Sequence, residues 1–112
     1  GAHPAFPDRR GFGRRPMVLD PSEVEDQVLY QIAAVAGLAR AEGLTLAHVK
    51  PHGALYNLAS AEPTVAHAIA RGALRSAPGV TMVFATAVAG GGRAAGRWFP
   101  AIVAATLAVS ND

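Results

Sequence analysis

Leu44-Thr45-Leu46-Ala47-His48-Val49-Lys50-Pro51-His52-Gly53 begins as an apolar alternating run and ends on a proline–glycine break. The run predicts a short strand over Leu44–Lys50, with Leu46, His48 and Lys50 on one face and Ala47 and Val49 on the other. Downstream, Ala54–Ser60 fits a turn or a short helix. Glu62-Pro63-Thr64 then opens a helix to about Ser76, with Val65, Ile69 and Ala73 on its inner side. Pro78-Gly79 stops that helix, and Val80–Ala85 predicts the next strand. Upstream, Asp20-Pro21-Ser22-Glu23 is a helix start: an N-cap acid, a proline at the first helical position and a capping-box glutamate. Val24, Val28, Ile32, Val35 and Ala39 line one face of this helix, and Gly43 ends it. Strands alternating with helices predict an α/β fold with a parallel sheet and helices packed outside it.

A chain of 112 residues supports one domain at most. Its 51% apolar and 16% charged residues mark a globular chain. Much of the apolar content is alanine, so Val, Leu, Ile and Phe must carry the core. The absence of cysteine excludes disulfides and thiolate metal sites and fits a cytoplasmic location. No run approaches the roughly 18 to 20 apolar residues of a membrane helix, so no membrane partner is expected. Gly1-Ala2-His3-Pro4 carries no signal peptide, and Gly1 is read as a point inside a longer chain. The net charge is +2, and basic residues concentrate at Arg9, Arg10, Arg14 and Arg15. Without a broader basic face and interleaved aromatics, this cluster suits a small anion better than nucleic acid.

Chemistry-bearing residues gather in two motifs. In the first, His48-Val49-Lys50-Pro51-His52-Gly53-Ala54-Leu55-Tyr56-Asn57, Lys50 and His52 fall at the carboxyl end of the strand, where functional groups of parallel sheets collect. Lys50 offers a point charge for an oxyanion or phosphate, His52 a proton donor and acceptor, and Tyr56 and Asn57 a hydroxyl and an amide. The same residues also serve as a polar cap on a strand end, and His48 within the strand reads as a packed histidine. In the second motif, Gly1-Ala2-His3-Pro4-Ala5-Phe6-Pro7-Asp8 runs into Arg10-Gly11-Phe12-Gly13-Arg14-Arg15. Its prolines and glycines predict an ordered loop over the first fifteen residues. His3 and Asp8 form either an acid–base pair or part of a metal site, or belong to a proline-stiffened surface loop. His67, Arg71 and Arg75 form a solvated stripe on the second helix. Gly90-Gly91-Gly92-Arg93-Ala94-Ala95 satisfies a dinucleotide fingerprint only formally, with no second βαβ half around it. The alanine-rich run Ala101–Val109 reads as helix or strand.

In order and spacing from Gly1 to about Ala77, the two motifs and the intervening Val28-Leu29-Tyr30-Gln31-Ile32 resemble the LamB/YcsF family. The resemblance implies a partial parallel β/α barrel of the polysaccharide-deacetylase-like, seven-stranded type. It also implies ATP-dependent hydrolysis of 5-oxo-L-proline to L-glutamate with ADP and phosphate, with Mg2+ accompanying the nucleotide and 5-oxoprolinase subunits B and C as partners. On this reading His3, Asp8, Lys50 and His52 are the catalytic candidates, and Arg14, Arg15, Tyr56 and Asn57 bind substrate or phosphate. A metal site is not assigned. The family's acidic amino-terminal segments do not occur in residues 1–112, and Gly90–Asp112 departs from the family pattern. The expectation is therefore a single partial domain lacking the family's N-terminal and C-terminal segments. Two other readings compete: a metal-dependent deacetylase or amidohydrolase using His3, Asp8 and His52 as ligands, and a catalytically incomplete binding fragment.

Overall fold

The computed structural model of the protein describes residues 1–86 and 101–106, with 83–86 and 101–106 as backbone only. Helix α1 spans Pro21–Ala41, strand β1 His48–Val49, helix α2 Ala54–Ala61, helix α3 Pro63–Ser76, strand β2 Thr81–Thr86 and strand β3 Ala101–Thr106. The start of α1 follows the sequence: the Asp20 N–H donates to Glu23 Oε2 at 3.0 Å, and Pro21 occupies the first turn. At its end, Gly43 N–H bonds to the Arg40 carbonyl and Leu44 N–H to the Ala39 carbonyl, the paired closure of a Schellman motif.

This closure helps explain a difference from the sequence reading. The predicted strand Leu44–Lys50 is reduced to His48–Val49, because Leu44 is still bonded back to the helix and the chain reaches the sheet only at His48. A second difference lies in the first residues. Ala2 bridges Val49 in parallel, with Ala2 N–H to His48 O, Lys50 N–H to Ala2 O and His52 N–H to Pro4 O, each 2.9 Å. Ala2–Pro4 is thus a strand-like neighbour of β1 and not a loop. Proline is tolerated there because its carbonyl, and not its missing N–H, faces the partner.

On the other side β1 pairs in parallel with β2, placing His48 beside Thr81 and Val49 beside Met82. β3 then runs antiparallel to β2. The expected all-parallel sheet is therefore corrected to a mixed one, and Ala101–Val109 resolves as strand at Ala101–Thr106. Gly90-Gly91-Gly92 lies outside the described residues.

Alternation sets the two faces of the sheet. Ala2, Val49 and Met82 turn inward and join one cluster with Val24, Val28 and Ile32 of α1 and with Leu55 and Ile69 of α2 and α3. His48 and Lys50 stay on the opposite face. The apolar stripe of α1 is shorter than its spacing suggests: Val35 is 37% exposed, so the buried part ends at Ile32. The stripe of Arg71 and Arg75 is not merely solvated, because both arginines donate to Glu25 of α1, at 2.8 and 2.9 Å.

Helices α1 and α3 cross tightly at Gly72. A Cβ there would sit 2.7 Å from the Glu25 carbonyl oxygen and 3.0 Å from Val28 Cβ. Alanine favours a helix over glycine by about 1 kcal/mol. Overpacking against backbone costs about 1–3 kcal/mol, and the carbonyl is fixed within α1. The clash is expected to win, with Gly72→Ala lowering the urea unfolding midpoint. An unchanged or raised midpoint would show that the helices separate freely.

Candidate functional site

The two motifs interlock. The arginine–glycine loop folds over the break after β1, where Ala54 N–H bonds to the Gly13 carbonyl at 2.9 Å and His52 N–H holds Pro4 O. Gly53 has φ 65° and ψ −133°, a conformation open in practice only to glycine. A side chain on it would collide with Gly13 O. The His52 ring approaches the same loop through Nε2, 2.9 Å from the Phe12 carbonyl oxygen, and lies edge-on to the Phe12 ring with centroids 4.9 Å apart.

From the other side α1 holds the first segment. Gln31 accepts from Ala5 N–H at 3.0 Å and donates to Ala5 O at 2.8 Å, so one side-chain amide satisfies both backbone groups of one residue. Between α1 and the loop lies a cleft of about 580 Å³. His3, Asp8 and His52 face it with Phe6, Gln27 and Tyr30. Gln27, Tyr30 and Gln31 are not among the site residues expected from the sequence. Tyr30 and Gln31 belong to the Val28–Ile32 string that carries the family resemblance, but their residue types and their place on a helix give no role at a site.

The other candidates are placed differently. Asp8 is bound by Arg15, with Nε 2.9 Å from Oδ2 and Nη2 on Oδ1, and it also accepts from Gly11 N–H at 3.0 Å. Two of the candidates, one from the catalytic set and one from the phosphate-binding set, are thus engaged with each other. Arg14 lies over the Phe12 ring at 5.4 Å. Lys50 Nζ sits 5.8 Å from the Tyr56 ring centroid and is not among the residues lining the cleft. Asn57 is exposed on α2. The His3 and His48 rings are 6.0 Å apart. Desolvation above all, and then the charges of His48, Lys50 and His52, lower the pKa of His3 and favour its neutral form. His3, Asp8 and His52 do not come together as a metal-binding group; among the described residues no three His, Cys, Asp or Glu side chains do.

Arg15 above all holds the Asp8 carboxyl down to about 2 from an ordinary value of 3.8, with partial desolvation opposing it and the Gly11 N–H adding to it. Because the folded value is the lower one, the pair's contribution is complete above the unfolded value and is lost as pH falls through the folded value. The stability gap between wild type and Asp8→Asn is expected to be constant above about pH 5 and to close toward about pH 2. Urea unfolding across that range measures it, and a gap independent of pH would contradict the pairing.

No helix among the described residues is long and apolar enough to cross a membrane. The LamB/YcsF family model matches residues 1–103, extending beyond Ala77 into the segment expected to depart from the family pattern. The A subunit of 5-oxoprolinase from Methylococcus capsulatus is 63% identical over 70 residues, covering 62% of this chain and 27% of that protein. The Bacillus subtilis protein of the same name is 50% identical over 82 residues, covering 73% of this chain and 32% of that one. The crystal structure of a lactam utilization protein from Thermus thermophilus superposes with a TM-score of 0.73 at 54% identity, covering 75% of this chain and 34% of that one. The chain therefore spans 27% and 32% of the lengths of these two curated relatives. With the interlocked motifs inside the matched region, this mixed α/β chain belongs to the LamB/YcsF family.

Proposed function

We propose that this chain supplies part of the reacting pocket of a 5-oxoprolinase component that acts on 5-oxoproline with ATP, in the cytoplasm, together with subunits B and C. The observation that carries this reading is the docking of the two motifs, which puts His3 and His52 at one cleft. The names of the relatives supply the substrate. On the same reading the sheet is part of a seven-stranded β/α barrel. The face carrying His48 and Lys50, opposite the helices, would then turn to the barrel interior.

A lactam carbonyl is a poor electrophile, because amide resonance must be broken before water adds. ATP, when bound, would supply a phosphoryl group that activates the ring oxygen. Arg14 and Lys50 suit its phosphates, since neither has a carboxylate partner among the described residues. Arg15 is occupied by Asp8, which gives that pair the task of holding the loop. Magnesium finds no three-donor group among the described residues, so no step is assigned to it. His3, favoured as the neutral imidazole, can accept a proton from attacking water, and His52 can exchange one across the same cleft.

The test is a titration of the isotope-labelled chain, in complex with subunits B and C, with 5-oxoproline in the presence of ATP and Mg2+. The ring signals of His3 and His52 are expected to shift with saturation. If they stay fixed while signals elsewhere saturate, the cleft is not the substrate site.

A further inference from the structure

His52 meets the loop through a single ring nitrogen, and its partner is a carbonyl oxygen, 2.9 Å from Nε2. A carbonyl only accepts, so Nε2 must carry the proton in this contact. Phe12 is the one residue other than glycine with positive φ among the described residues, at 55°. A bulky side chain is rarely found there, and such conformations persist where the surroundings impose them. Three features impose this one: Phe12 N–H bonds to Arg9 O at 3.3 Å, Gly13 N–H bonds to Asp8 O at 2.9 Å, and the Asp8–Arg15 pair clasps the loop. Gly13 O is in turn held by Ala54 N–H, one residue beyond the Gly53 that follows His52. The strained residue is thereby fixed at both ends of its hydrogen-bonded frame, with its carbonyl aimed at the imidazole.

We propose that Phe12 is a positioning residue whose backbone carbonyl locks His52 as the Nε2–H tautomer and leaves Nδ1 as the nitrogen that exchanges protons with a ligand. The tautomer rests on geometry alone; the proton exchange rests on the reading of the cleft given above. Protonation at Nδ1 keeps the bond to Phe12 O intact, because Nε2–H donates in both charge states. The ring can therefore gain and lose a proton without moving.

Two measurements test this on the whole chain. In NMR of the 15N-histidine-labelled protein, at a pH where imidazole is neutral, His52 is expected as one tautomer. Its Nε2 should show the nitrogen shift of a protonated site, and its ring protons should lie close to Phe12 and Gly13 protons. A neutral ring protonated at Nδ1, or an even mixture of the two tautomers, overturns the proposal. The second measurement compares His52→Gln, whose side-chain amide can still donate from the Nε2 position, with His52→Asn, which cannot reach it. His52→Gln is expected to keep the wild-type melting temperature and His52→Asn to lower it, and equal losses would overturn the lock. A locked tautomer in a protein that never responds to 5-oxoproline would leave the positioning intact and remove the substrate reading. A mobile ring in a responsive protein would do the reverse.

Discussion

Replacing Gly53 by alanine is expected to destabilise the chain by about 2–6 kcal/mol and to separate the two motifs. Two effects add. A non-glycine residue held at that φ and ψ costs about 1–3 kcal/mol. The new Cβ also has nowhere to go, since it meets Gly13 O and lies 3.0 Å from Gly13 C, both backbone atoms. Relief requires lifting the loop, which breaks the bond from Ala54 N–H to Gly13 O and draws Phe12 O away from His52. The consequence therefore runs from one backbone angle to the placement of the His52 ring. Urea unfolding gives the stability, and the His52 ring signals report the separation. A variant with wild-type stability and an unshifted His52 would show that the loop is not held at this point.

The second large effect is expected at Ile32. This side chain is wholly buried on the inner face of α1, in the same cluster as Val28, Val49 and Met82. Ile32→Ala removes most of the side chain and leaves a cavity, at a cost of about 2–5 kcal/mol. Alanine's better helix propensity returns at most about 0.7 kcal/mol, so the packing loss decides the sign. The neighbouring Gln31 should feel the change, because the position of α1 sets its reach to Ala5. Loss of stability with the Gln31–Ala5 bonds retained would place the damage in the core alone. A variant as stable as wild type would mean that Ile32 is not packed in the core cluster as described.

Much of this architecture is legible in the residues. Asp20, Pro21 and Glu23 mark the start of α1, Pro63 that of α3, and Gly43 and Pro78-Gly79 the stops, because each acts through local backbone chemistry. The spacing of Val24, Val28 and Ile32 gives the buried face for the same reason. Less legible are features set by distant partners. Nothing local shows that Ala2–Pro4 will lie along β1, since an extended segment with prolines looks like a loop until a neighbour takes its carbonyls. The direction of β3 is likewise a matter of topology, and alternation of strands and helices speaks only for the parallel part.

At the site, His3, Asp8 and His52 stand out by residue type, and the structure places all three at the cleft. What residue type cannot show is that Asp8 and Arg15 use each other, or that Lys50 leans on Tyr56 outside the cleft lining. Opposite charges seven residues apart in a loop become partners only once the turn at Gly11 and Gly13 is closed. Gln31 carries no sequence signal of a site role, yet it fixes the wall of the cleft.

The most direct test of the functional reading is ATP-dependent release of glutamate from 5-oxoproline with subunits B and C supplied. It compares this chain with a version extended by the family's acidic amino-terminal segments. Turnover by the extended version, abolished by His52→Ala, is the expected result, and turnover by that version alone would make this chain an incomplete part of the pocket. Absence of turnover from both, with both folded, would contradict the assignment of 5-oxoproline to this cleft.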